Sequence, residues 1–158
     1  MINRKIRNAK ACTLDGHTFK SRLECACYSL LKQSGLEFTY EGEKFTLWKG
    51  IKLVKTLLFA PERKKESEKK RKLHLQRGTL KDMTYTPDFI VTKGNVTIYF
   101  DVKSIPNDVY PIKKKMFLKY LEEHEEKAVF FEPHNVGQMV EAIAYIKDLD
   151  YGDNKGES

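Results

Sequence analysis

Residues 83–103 read MTYTPDFIVTKGNVTIYFDVK, and this stretch decides the fold. β-Branched and aromatic residues fill Met83 to Val91 and again Val96 to Lys103. With Lys93-Gly94-Asn95 as a short turn between them, the two runs predict an antiparallel hairpin. Strand side chains alternate, so Asp101 and Lys103 share one face while Phe100 and Val102 enter the opposite layer. Pro87 keeps Thr86 extended and has no N–H for a ladder, which suits a strand end where Asp88 projects beyond regular pairing. Two carboxylates and an ammonium are thereby expected at one end of the hairpin.

Upstream, residues 19–34 place Leu23, Ala26, Cys27, Leu30 and Leu31 at helical spacing, and Gly35 is a stop. Glu37–Glu41 and the run from Phe45 to Phe59 read as strands, interrupted by Gly42 and Gly50. Downstream, residues 111–125 carry Ile112, Met116, Phe117, Tyr120 and Leu121 on one helical face, and Ala128–Phe131 read as a short buried strand. Asn135 with Gln138 opens a last helix whose expected core face is Val136, Met139, Val140, Ile143 and Ile146. The order αβββαβα predicts an α/β fold, a mixed β-sheet flanked by helices.

The chain has 158 residues and a net charge of +7. That length suits one compact domain, residues 1–150, burying roughly 70% of the surface its unfolded form exposes, with a flexible tail at 151–158. No apolar run reaches the ~20 residues of a membrane span and no secretory leader is legible, so a soluble, intracellular protein is expected. Cys12, Cys25 and Cys27 have neither zinc-knuckle nor redox-motif spacing and read as reduced, buried thiols.

The charge is segregated. An arm at residues 1–10 holds Arg4, Lys5, Arg7 and Lys10 with no acid; an insert at 61–79 holds Arg63, Lys64, Lys65, Lys69, Lys70, Arg71, Lys72 and Arg77 against three glutamates. These two segments carry +9, so the remainder of the chain carries −2 of the net +7. Cations gathered this way suit a polyanion, because each one set on a phosphate releases condensed counter-ions. A solvated charged loop would have the same composition.

Aspartates held close in a partly buried site repel unless a cation neutralises them, and oxygen ligands of this kind suit Mg²⁺ or Mn²⁺. Asp88 and Asp101 are thus candidate metal ligands. Lys103 is placed to orient a water or to stabilise charge developing on phosphorus. A half-exposed strand with alternating polar residues would also produce Asp101 and Lys103. Ser21-Arg22-Leu23-Glu24 fits a capping box, yet Glu24 borders the apolar stripe and is also a candidate third carboxylate. Lys113, Lys114 and Lys115 open the next helix; Lys115, next to Met116, lies nearest its core side, and one of the three is a candidate phosphate contact. Four scattered histidines, no phosphate-cradling loop and no G-x-S-x-G leave zinc, nucleotide-hydrolysis and serine chemistry without support.

With Glu24, Pro87-Asp88 and Asp101-x-Lys103 in this order, the chain resembles the PD-(D/E)xK nuclease superfamily, and within it the endonuclease I group of phage Holliday-junction resolving enzymes. The likeness runs through Phe19–Glu24, Gly35–Glu41, Tyr85–Phe89, the acidic-x-Lys strand and the basic residues that follow, covering residues 17 to about 132. It implies a restriction-endonuclease-like core in which Asp88, Asp101, Glu24 and the Val102 main-chain carbonyl hold Mg²⁺, with Mn²⁺ as a substitute, and Lys103 is catalytic. It also implies a DNA partner, a homodimer in which Glu24 serves either its own site or, with segments exchanged, the partner's site, and a phage-encoded protein in the bacterial cytoplasm. Two features depart from that group. Asp101 stands where the resolvases usually have Glu, and residues 49–81 are longer and more basic than their connection. The expected activity is metal-dependent cleavage of branched DNA; the rivals are a transposition- or restriction-type nuclease cutting linear duplex and a non-catalytic nucleic-acid-binding module.

Overall fold

The computed structural model describes residues 11–61, 73–104 and 107–149. Arg4, Lys5, Arg7 and Lys10 of the arm, Arg63 to Lys72 of the insert, and the tail from 151 lie outside the described residues. The chain divides into two compact units, one formed by residues 1–45 with 85–158 and the other by Thr46–Thr84, so the basic insert falls within a longer excursion.

In chain order the elements are β1 (Cys12–Leu14), β2 (His17–Phe19), α1 (Arg22–Ser34), β3 (Phe38–Tyr40), β4 (Phe45–Trp48), β5 (Phe59–Pro61), β6 (Leu73–Leu75), β7 (Met83–Tyr85), β8 (Phe89–Lys93), β9 (Val96–Phe100), α2 (Tyr110–His124), β10 (Ala128–Phe131) and α3 (Val136–Asp148). The larger unit is a mixed α/β structure built on a four-stranded sheet in the order β10-β9-β8-β3. Strands β9 and β10 run parallel, and β3, β8 and β9 antiparallel. Gly94 with φ 59° starts the two-residue turn between the partners Lys93 and Val96, a left-handed position where a Cβ would be strained.

Alternation divides the side chains of β8 and β9 between two layers. Phe89, Val91, Val96, Ile98 and Phe100 join Cys27 and Leu31 of α1 and Met139, Ala142, Ile143 and Ile146 of α3 in one core. Tyr99 points the other way, edge-on to Phe117 of α2 at 5.3 Å. Phe100 is fully buried, and its truncation to Ala would cost about 3–5 kcal/mol, because the vacated volume cannot close. The helix ends follow local chemistry. Ser21 Oγ accepts the Glu24 N–H at 3.1 Å, Gly35 ends α1 in the left-handed region, and Asn135 Oδ1 accepts the Gln138 N–H at 3.0 Å.

Several expectations are corrected. Met83–Val91 is two strands, because Thr86-Pro87-Asp88 interrupts the ladder; the Phe45–Phe59 run is β4 and the start of β5 with irregular chain between. Hairpin β1–β2 was not foreseen, although its Asp15-Gly16 turn has positive φ at both residues and is a favoured hairpin pair. On α3 the buried face is Met139, Ala142, Ile143 and Ile146, while Val136 and Val140 are exposed. Cys12 and Cys25 are joined by a disulfide and not reduced, their Cα atoms 6.2 Å apart, because the hairpin lays β1 against α1. Cys27 stays a free buried thiol, pushed up to about 12 mainly by desolvation.

Within the smaller unit, β5 and β6 form a two-stranded ladder in which Phe59 pairs with Leu75. Lys49 Nζ meets Asp82 Oδ2 at 2.8 Å, and Asp82 Oδ1 accepts the Gly50 N–H at 2.8 Å. Its apolar residues stay largely in solvent: Val54, Leu57, Phe59, Leu73 and Leu75 are all exposed.

Candidate functional site

The last strand pair of the β8–β9 hairpin is Phe89 with Phe100, and one step further stand Asp88 and Asp101. Because Pro87 ends the regular ladder, the Asp88 side chain replaces a main-chain acceptor: its Oδ2 takes the Val102 N–H at 2.6 Å. The Asp88 N–H is bonded to Phe100 O at 2.8 Å, so this residue is held at both ends. On the other side of β9 the parallel ladder continues, with Asp101 N–H donating to Phe131 O at 3.0 Å and Lys103 N–H to Pro133 O at 3.1 Å. Lys103 Nζ forms an ion pair with Asp101 Oδ1 and lies 3.9 Å from Asp88 Oδ2. Asp88, Asp101 and Lys103 are therefore brought together.

Burial singles out the same residues. Among the described residues the buried polar or charged side chains, tyrosine and cysteine aside, are Glu24, Asp88 and Asp101, at 6%, 5% and 1% exposure. Carboxylates are almost never buried unless paired, so their coincidence with the candidate site is informative. Desolvation pushes the Asp88 carboxyl up to about 8; Lys103 opposes the rise, while Asp101 and Glu24 add to it. Burial disfavours the Lys103 ammonium, but Asp88 and Asp101 outweigh it and hold its pKa above the ordinary lysine value.

Glu24 has the expected capping geometry and more. Its Oε2 accepts the Lys20 N–H at 3.2 Å and the Tyr40 hydroxyl at 3.3 Å, while the Ser21 hydroxyl donates to Oε1 at 3.3 Å. The reciprocal bond thus goes to Lys20 and not to the cap residue itself. Tyr40 closes β3, and the following Glu41 N–H donates to Asp88 O at 2.9 Å, so Glu24 and Asp88 are linked through the end of that strand.

Sequence reasoning missed a second layer around these groups. The Tyr85 hydroxyl donates to Asp101 Oδ2 in a buried, short contact. The Tyr110 ring centroid is 5.1 Å from Lys103 Nζ, and its hydroxyl donates to Glu132 Oε2 at 2.8 Å. Glu132 also binds Lys114 Nζ at 2.5 Å and His134 Nε2 at 2.9 Å, and these partners hold its carboxyl below its usual range against the opposing effect of burial. The available signal was positional: Glu132 follows β10 as Asp101 follows β9, in parallel register. Lys114 of the trio thus joins this cluster through Glu132, whereas Lys115, expected on the core side, is exposed; Lys113, like Lys114, is half-buried. Arg77 is exposed in the smaller unit.

A divalent cation fits this donor set. Asp101 Oδ1 is buried and receives no regular hydrogen bond, its one close cation being Lys103. Mg²⁺ typically takes one or two carboxylates and keeps several waters, so Asp88, Asp101 and the Val102 carbonyl would suffice without Glu24. Among the described residues no group of three His, Cys, Asp or Glu side chains is drawn together as a ready-made cage. Also among them, no helix is long and apolar enough to cross a membrane.

The chain belongs to the family described as a protein of unknown function, DUF1064, whose model matches residues 4–132. That span contains Glu24, Asp88, Asp101, Lys103 and Glu132 and stops short of α3. The chain matches no curated protein and no solved structure.

Proposed function

We propose that this protein is a divalent-metal-dependent endonuclease that hydrolyses phosphodiester bonds in DNA, with branched DNA such as the four-way junction as its preferred substrate. The observation that carries the reading is the burial of Glu24, Asp88 and Asp101, the three acids singled out by their likeness to the PD-(D/E)xK nucleases, with the two aspartates gathered at one lysine. Buried acids that also repel one another suit a site that holds something positive.

Asp88, Asp101 and the Val102 carbonyl would hold Mg²⁺ or Mn²⁺, which supplies Lewis-acid polarisation of the phosphate and a more acidic water. Lys103, steadied by both aspartates and the Tyr110 ring, orients the attacking water and offsets negative charge building on phosphorus. Water adds to phosphorus as the bond to one ester oxygen breaks; the water gives up a proton and the departing oxygen gains one. Lys114, Arg77 and the basic arm and insert supply backbone contacts, so binding should weaken with salt. The likeness to the junction-resolving enzymes also implies a second copy of the chain as partner, and the exposed apolar residues of β5 and β6 are one surface on which to test it.

Cleavage of an end-labelled four-way junction beside its linear arms, with Mg²⁺ or chelator, tests the reading. Metal-dependent cuts at the junction support it. Equal cutting of linear duplex would favour a restriction- or transposition-type enzyme, and DNA binding without cutting would favour a binding module.

A further inference from the structure

We infer that Tyr85 is a positioning residue for Asp101: its hydroxyl ties up Oδ2, so that the carboxylate presents Oδ1 alone to Lys103 and to a bound cation. The inference rests on the metal-site reading above. The contact is made between two buried residues, Tyr85 at 6% and Asp101 at 1% exposure, so water does not compete for either partner.

The phenol has little freedom to be elsewhere. Its ring stacks on Phe117 at 4.4 Å with 29° between planes, and Phe117 is fully buried against Phe45 at 5.1 Å and Tyr99 at 5.3 Å. The two oxygens of Asp101 are thus made unlike. Oδ2 is bonded to Tyr85, whereas Oδ1 is buried and pairs with the Lys103 ammonium, the Tyr110 hydroxyl also interacting with the carboxylate.

The segment Tyr85-Thr86-Pro87-Asp88 therefore acts twice on β9 and its extension. The side chain of Tyr85 holds Asp101, and three residues later the side chain of Asp88 holds the Val102 N–H. Pro87 separates the two holds and keeps the intervening chain extended. Groups that orient a ligating carboxylate commonly change metal affinity by about 10- to 100-fold when removed.

The test is Mn²⁺ binding to the full chain without DNA, by calorimetry, for wild type, Tyr85→Phe and Tyr99→Phe. Tyr99 is an internal control, since its side chain is also buried and packs edge-on to Phe117 but its hydroxyl donates to Glu125 Oε1 at 3.1 Å. Tyr85→Phe keeps the ring stack and should weaken Mn²⁺ by about 10- to 100-fold, with Tyr99→Phe at the wild-type value. A second variant, Phe117→Leu, keeps the hydroxyl but loosens the ring and should weaken Mn²⁺ by a smaller factor. Wild-type affinity in Tyr85→Phe would overturn the inference and leave the nuclease reading standing. Absence of saturable Mn²⁺ binding in wild type would overturn both.

Discussion

Asp88 Oδ2 accepts the main-chain N–H of Val102 at 2.6 Å, so the aspartate that ends one arm of the hairpin is fastened to the residue between Asp101 and Lys103 on the other. This bond fixes Asp88 against the short piece of backbone that carries Asp101 and Lys103. The arrangement survives only while Asp88 has an acceptor oxygen to offer, which an asparagine retains and an alanine does not.

Asp88→Asn separates the charge of this residue from its geometry. The Asp88 carboxyl is raised from 3.8 to about 8 in the folded chain, so folding takes up a proton between those values. Its unfavourable contribution is absent below the ordinary carboxylate range, grows as pH rises through the window and is complete above about 8. Asn removes that slope. Thermal unfolding without divalent ion should show Asp88→Asn matching wild type near pH 4 and exceeding it near pH 9, by about 2–4 °C for each kcal/mol relieved. Parallel profiles for the two proteins would refute the assignment.

Ser21→Ala should cost about 1 kcal/mol through loss of the α1 cap, lowering Tm by about 2–4 °C. It also removes the Ser21 hydroxyl from Glu24 Oε1, leaving Lys20 N–H and Tyr40 to hold that carboxylate. Calorimetry of the folded variant measures the first effect, and an unchanged Tm would contradict the capping role.

Phe59 and Leu75 are cross-strand partners in the β5–β6 ladder and both are exposed, at 55% and 59%. If a second copy covers this ladder, Phe59→Asp with Leu75→Glu should convert a dimer into a monomer in analytical ultracentrifugation. A wild-type monomer would contradict the dimer, and an undisturbed dimer in the double variant would place its interface elsewhere.

The hairpin was legible because three independent signals agree over a dozen residues: alternation from Phe89 to Val91, alternation from Val96 to Phe100, and Gly94-Asn95 between. The caps at Ser21 and Asn135 were legible for a similar reason, since the acceptor and the N–H it serves lie three residues apart. Asp88, Asp101 and Lys103 come together because alternation and the proline break are both local. What depends on distant partners was not legible. Tyr85 meets Asp101, and Tyr110 meets Glu132, only after the sheet has assembled. Cys12 pairs with Cys25 only because β1 folds back along α1. Val136 and Val140 fit a helical stripe, yet α3 turns so that Ala142 takes a place in the core, because a small side chain permits close packing there.

The most direct test of the central claim is single-turnover cleavage of an end-labelled four-way junction by wild type and Lys103→Ala, with Mg²⁺ and with chelator, at a temperature where both are folded. The account predicts cuts by wild type that require Mg²⁺ and a loss of rate of at least about 100-fold in the variant with DNA binding retained. Metal-dependent cutting at the wild-type rate by folded Lys103→Ala, or no cutting by wild type, would contradict it.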